Sequence, residues 1–302
     1  MRLFAFLVRS LTFESALRLG SALGRFLFTV IGYRRQVALE QFGSTLGRGL
    51  SRAETRRTVA RAYGNIGRTV VEVLKFPDLS NAEVLRRVSS DDLSGLDRLL
   101  ARGKGVILLT GHFGNWELLG GYMALRGYPV NFVVADIRNR RVDDLLTACR
   151  TRWGVRIVRS GQAIRPILDC LRKNQCVAIV PDQDAGGDGL FVDFLGKTAS
   201  INLGPAAISL RTGAPIYTGF LIRETAGRYH LSLPEPIDPD NYTGPRQEAS
   251  EKLARACSDL IARYVQRYPD HWLWTHRRWK TRPPASMPSE EGARTEPEGT
   301  DG

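Results

Sequence analysis

No stretch of this sequence stays apolar for the roughly 20 residues that a membrane-crossing helix needs; Arg2, Arg9, Glu14, Arg18 and Arg25 interrupt the apolar N-terminal runs. No small-residue cleavage site follows a clear apolar core there, which argues against a removed secretory signal. Cysteine is scarce. Cys149, Cys170, Cys176 and Cys257 show neither paired metal-ligand spacing nor a dense disulfide pattern, and read as reduced thiols in a cytoplasmic compartment. No repeat with a period of roughly 20 to 50 residues is present, so a solenoid is excluded. A Gly-x-Ser-x-Gly elbow is missing, leaving no serine nucleophile of that kind. Gly196-Lys197-Thr198 matches the end of a phosphate-binding loop, but Phe191 stands where its first glycine is required. Asp182, Asp184 and Asp188 are spaced like a calcium loop that lacks its closing glutamate and has glycines at ligand positions, so neither a metal nor a cofactor is expected.

Acidic side chains are also in deficit, 31 against 43 Lys plus Arg, for a formal charge of +12. The stretch from Thr281 onward is itself acidic, so the remainder is more positive still. Such a surface favours an anionic partner: phospholipid, phosphorylated substrate or acidic protein. Nucleic acid ranks last, because the arginines accompany amphipathic helices and form no recognised nucleic-acid module.

The apolar content is 43% of 302 residues, enough for one large domain or two modest ones. Residues 1–45 read as a basic amphipathic region that lies on a bilayer with its apolar face in the headgroup zone, the alternative being a helix packed on the core. Residues 46–280 form the main α/β unit, and 281–302 a Pro, Ser, Glu and Gly-rich disordered tail. Ser51 with Glu54 and Ser80 with Glu83 make capping boxes. Val59, Tyr63, Ile66, Val70 and Leu74 form one helical stripe, beside a cluster of Arg52, Arg56, Arg57, Arg61 and Arg68. A further helical stretch runs from about Asp91 to Arg102. Beyond it, apolar strands at Val106–Leu109, Val130–Val134, Val155–Val158 and Val177–Val180 alternate with helical patterns, which predicts a mostly parallel central sheet flanked by helices. Phe191–Leu195 reads as another strand. Ile216–Ile222 with Tyr229–Leu233 reads as an antiparallel addition at the sheet edge, and Glu248–Tyr268 as a long helix.

The chemistry centres on Thr110-Gly111-His112-Phe113-Gly114-Asn115-Trp116-Glu117, where the Val106–Leu109 strand gives way to a helix. Open α/β sheets place their ligands at that carboxyl edge. Two side chains five residues apart on one helix diverge by about 140°, so His112 and Glu117 meet only if the histidine lies in the turn and the glutamate one turn inside. A carboxylate on one ring nitrogen fixes the tautomer and frees the other as a base; the plain alternative is a histidine that caps the helix. Ile179-Val180-Pro181-Asp182-Gln183-Asp184 repeats the arrangement, bringing Asp182 to the same edge. Backbone N–H groups near Gly114 and Asn115 are candidate oxyanion donors. His271 to Lys280 packs three tryptophans among basic neighbours, as a membrane-interface segment or as a closing segment on the core.

These blocks, with Gly189 to Gly196 and Arg211-Thr212-Gly213-Ala214-Pro215, together resemble the lipid A biosynthesis acyltransferases, the lauroyl and myristoyl transferase family within the lysophospholipid acyltransferase superfamily. The resemblance spans roughly the first 283 residues. It implies acyl transfer from acyl carrier protein to a hydroxyl of a lipid A precursor, at the cytoplasmic face of the cell inner membrane, with the chain peripheral or anchored by its N-terminus. The resemblance makes His112 the general base and Glu117 its orienting acid, with Arg138 on substrate phosphate or the developing oxyanion. Asp182 would support the histidine or the acceptor, with Gln183 and Asn115 among the substrate-binding residues. Glu117 stands where the wider superfamily usually has aspartate, which leaves Asp182 open as the partner of His112. A lysophospholipid, ornithine lipid or other glycolipid is the alternative acceptor, and a non-catalytic protein that binds anionic lipid the remaining alternative.

Overall fold

The computed structural model describes residues 2–137, 139–160, 164–225 and 227–284. Its centre is a five-stranded sheet in the order β4-β3-β5-β2-β8, parallel throughout: β2 is Val106–Leu109, β3 Val130–Val134, β4 Arg156–Arg159, β5 Cys176–Ile179 and β8 Ile216–Thr218. All four residues of β2 are buried, as expected of a parallel strand covered on both faces. Side chains alternate across a strand, so the sheet divides two cores. Val106 and Leu108 join one, with Leu118, Leu119, Tyr122 and Met123 of α7 (Trp116–Leu125) and Cys149 of α8 (Arg140–Arg152). Ile107 and Leu109 join the other, with residues of α9 (Ile164–Arg172), α10 (Gly204–Thr212) and α11 (Arg246–Arg267).

One segment of the sheet region departs from expectation. The run Ile216–Ile222 is not one strand. It breaks at Gly219, whose N–H donates to the Leu109 carbonyl at 3.0 Å; β8 stays parallel to β2, while β9 (Phe220–Arg223) leaves to pair antiparallel with β10 (Tyr229–Ser232). A strand with no clear apolar pattern, β1 (Val88–Ser90), completes this second sheet beside β10, ahead of the short α6 (Ser94–Leu100). The strand expected at Phe191–Leu195 forms as β6 (Leu190–Asp193), in a separate hairpin with β7 (Thr198–Ile201).

At the N-terminus, α1 (Arg2–Ser10) and α2 (Phe13–Phe26) precede α3 (Arg35–Gly43), α4 (Arg52–Lys75) and α5 (Asn81–Arg87). Both capping boxes form, at the starts of α4 and α5, each contributing about 1 kcal/mol. Helices α2 and α4 touch backbone to backbone. A Cβ on Gly24 would lie 1.9 Å from the Tyr63 carbonyl oxygen and one on Gly67 2.0 Å from that of Gly20, so only glycine permits the contact. This packs the small-residue face of α2 on α4 and turns Leu23 and Phe26 outward, with Val30 and Ile31 exposed just beyond. Val70, expected in the buried stripe of α4, is exposed too. No helix among the described residues is long and apolar enough to cross a membrane. The expected tail lies outside the described residues from 285 onward.

Candidate active site

Strand order decides which side chains meet. Because β5 lies beside β2 with Leu109 opposite Ile179, the residues three positions beyond each strand, His112 and Asp182, leave the sheet together. His112 Nδ1 lies 2.6 Å from Asp182 Oδ1. The other carboxylate oxygen accepts the His112 backbone N–H at 2.7 Å and the Trp272 indole N–H at 2.8 Å. With a carboxylate on Nδ1 the proton belongs there, and Nε2 keeps its lone pair. Gln183 Nε2 approaches that nitrogen at 3.4 Å, and Trp116 packs edge-on against the ring, centroids 5.0 Å apart.

Burial pulls the imidazole pKa down, yet the Asp182 charge and hydrogen bond, with Glu117 behind them, outweigh it and hold His112 above its ordinary value. Asp182 is 4% exposed; burial would raise its pKa, but the His112 charge and the donors from His112 and Trp272 hold it below the usual carboxylate range. This is an oriented imidazole beside a committed anion.

Glu117 does not orient His112. Its carboxylate accepts Arg150 Nε at 2.7 Å and Nη2 at 2.6 Å, and both side chains are nearly buried. A guanidinium fork fits two carboxylate oxygens at once, and α8 delivers it from 33 residues away, beyond the reach of any local motif. The Glu117 contribution to His112 is a charge, not a hydrogen bond. Asn115 is likewise corrected. It is fully buried, its Oδ1 caps α7 by accepting from the Leu118 N–H at 2.9 Å, and its Nδ2 donates to Glu72 at 2.6 Å, so both amide ends are occupied by protein. The Gly114 N–H donates to the His271 carbonyl at 2.8 Å and is no oxyanion donor. At φ +57°, a Cβ there would fall 1.9 Å from the Leu221 carbonyl oxygen, so the turn requires glycine. Arg138 lies outside the described residues.

The tryptophan segment closes the core. Trp272 and Trp274 are buried and pack edge to face at 4.8 Å, the Leu273 N–H donates to the His112 carbonyl at 3.1 Å, and Arg278 is buried against the Ser200 carbonyl. Asp184, one of the aspartates with calcium-like spacing, accepts instead from the Thr281 hydroxyl at 2.8 Å and the Gly186 N–H at 3.2 Å.

His112 and Gln183 open onto a cavity of about 360 Å³. Its floor is one row of the sheet, with Tyr217, Leu108 and Ala178 side by side across β8, β2 and β5, and Phe132 following on β3. Leu119 and Met123 of α7 cover it. Arg150 lines the same wall, with Nε and Nη2 donating to Glu117 and no hydrogen bond from Nη1 among the described residues. Such a shape suits an apolar chain whose polar head reaches the histidine and a guanidinium.

The sequence profile of the bacterial lipid A biosynthesis acyltransferases matches residues 2–281. The chain is 26% identical over 236 residues to the lipid A biosynthesis palmitoleoyltransferase of Escherichia coli, covering 77% of this chain and 74% of that protein. It is 22% identical over 280 residues to the lipid A biosynthesis lauroyltransferase of the same organism, covering 92% and 89%. Phosphatidylinositol mannoside acyltransferase of Mycobacterium tuberculosis is 26% identical over 227 residues, covering 72% and 68%. A profile match along nearly the whole described chain, with acyltransferases on every side, means that this protein belongs to the bacterial lipid A biosynthesis acyltransferase family and is an O-acyltransferase.

Proposed function

We propose that the enzyme moves a fatty acyl group from an acyl-carrier-protein thioester to a hydroxyl of a lipid A precursor, with His112 as general base. The observation that carries this reading is the 2.6 Å contact of His112 Nδ1 with Asp182, beside an apolar cavity. A thioester is already activated, so no covalent nucleophile is needed, only a base, an oxyanion site and two anchored substrates. The acceptor O–H gives its proton to His112 Nε2 as its oxygen bonds to the thioester carbon. The carbonyl electrons shift onto oxygen, where Arg150, on the wall of the same cavity and held in orientation by Glu117, supplies a cation. Collapse breaks the C–S bond, and the proton held by His112 neutralises the departing thiolate.

The first 45 residues supply the membrane contact in this reading. Phe26, Val30 and Ile31 are 50%, 65% and 61% exposed, near the arginines of α4, of which Arg56 stacks on Phe28 at 5.1 Å. Exposed apolar side chains beside arginine suit the boundary of an anionic bilayer, here the cytoplasmic face of the inner membrane.

A second acceptor class has its own support, since a phosphatidylinositol mannoside acyltransferase matches at the same identity as a lipid A enzyme. Purified enzyme supplied with acyl carrier protein thioester and either a lipid A precursor or a phosphatidylinositol mannoside, read by mass spectrometry, separates the two. His112→Ala is expected to cut transfer by about 10²–10⁴-fold with folding and vesicle binding intact. Undiminished transfer removes His112 as the base.

A further inference from the structure

The acyl cavity has one wall that is thin, and the geometry points to that wall as the stop that selects acyl-chain length. At the end away from the exposed Ala135 and Ile137, the cavity is closed by Tyr217 and Leu233. The same two residues line a second cleft of about 490 Å³ on the far side, where Leu99 and Pro236 are joined by the charged Asp91, Arg98, Arg102 and Glu235. Tyr217 is thus a partition. Its ring lies in register with Leu108 on the apolar floor, and its hydroxyl points to α6, 2.8 Å from where a Cβ on Gly95 would stand. Burial, with Glu235 and Asp91 nearby, raises the phenol pKa, so it remains an uncharged plug.

Dimensions make the partition relevant. His112 lies four residues beyond Leu108, at most about 14 Å along the chain, and Tyr217 one strand across, a further 4.8 Å or so sideways. A zigzag of carbon–carbon bonds of about 1.5 Å fills that run with on the order of ten carbons. A chain that reaches the partition gains apolar contact with each added methylene, and a chain one or two carbons longer must either buckle or push an aromatic ring into a polar cleft. Both are costly.

This inference rests on the acyl-transfer reading above, and the two fail in different ways. Rates would be measured with acyl carrier protein donors of graded length, for the wild type and four variants. Tyr217→Leu and Tyr217→Ala should join the two cavities and raise the rate with donors two carbons beyond the wild-type optimum, relative to that optimum, by about 10-fold or more, the discrimination one methylene usually commands. Gly95→Ala should drive the phenol toward the cavity and move the optimum to shorter chains. Tyr217→Phe keeps the ring and should leave the optimum unchanged. Should Tyr217→Ala prove unstable, Tyr217→Leu and Gly95→Ala still test the partition with smaller changes in packing. An optimum that stays put in Tyr217→Leu and Gly95→Ala overturns the partition while leaving acyl transfer intact. A wild type inactive with every donor overturns the underlying reading instead.

Discussion

Among the described residues, two glutamate–arginine pairs lie buried, and they are built for different ends. Glu72 on α4 meets Arg223 on β9, and the cluster is closed by Tyr229, Thr69 and Asn115. None of these residues lines the cavity at His112, and the cluster ties α4 to the second sheet and to the turn that carries His112. Glu117 and Arg150 join α7 to α8 through a two-point fork as well, yet they sit on the cavity wall with no hydrogen bond from Arg150 Nη1 among the described residues. A buried ion pair is weak evidence for stability because desolvation offsets attraction. Its placement says more: the closed pair organises the fold, and the open one stands on the wall of the cavity where the proposed substrate would lie.

Predictions test that contrast, taken from the largest effect down. Asp182→Asn, which leaves both pairs intact but deprives the base of its anion, is expected to lower the transfer rate by up to about 10⁴-fold, as when a triad carboxylate is neutralised. The pH profile must move as well. His112 has to be neutral to accept a proton, and its pKa is raised above 6.5 in the native protein, so wild-type activity should climb through a midpoint above that value. Without the Asp182 charge, burial prevails and the midpoint should fall. A profile that stays in place detaches Asp182 from the base.

Arg150→Gln should lower kcat by about 10²–10³-fold, the usual effect of losing an oxyanion donor, while thermal unfolding shows a smaller change than in Glu72→Ala. Glu72→Ala should show the reverse, about 3–5 kcal/mol of lost stability from an uncompensated buried Arg223, with activity per folded molecule much less affected. Equal behaviour of the two variants in both measurements would erase the distinction between the pairs. The smallest effect on folding is expected at the exposed N-terminal patch. Ile31→Glu should change stability by no more than about 0.5 kcal/mol while weakening flotation with anionic vesicles.

Much of this architecture was legible because it follows from local rules. The aliphatic run at Val106–Leu109, the helical spacing after Trp116 and the two serine–glutamate boxes each record a neighbourhood of a few residues, and a few residues determine them. Where the rule was not local, the sequence left alternatives open, as between Asp182 and Glu117 for His112, or misled. Glu117 was five residues from the histidine in sequence and bound an arginine 33 residues away. Arg150 bears no motif, and its only sequence signal is its place on a helix that follows a strand. Asn115, read as a ligand of substrate, went to cap α7, because a buried helix start needs an acceptor more urgently. The tryptophans after His271 fitted membrane and core equally by composition, and packing chose the core.

From the chain alone, then, came a parallel α/β sheet, a histidine at its carboxyl edge and a surface poor in acid, since periodicity, turn residues and charge are properties of neighbouring or summed residues. Only the tertiary structure decided that Asp182 is the partner of that histidine, that Glu117 holds Arg150 and that Tyr217 ends the cavity. Those pairings depend on strand order and on one helix lying beside another, and a side chain's partner is set by distance in space, which sequence separation does not encode.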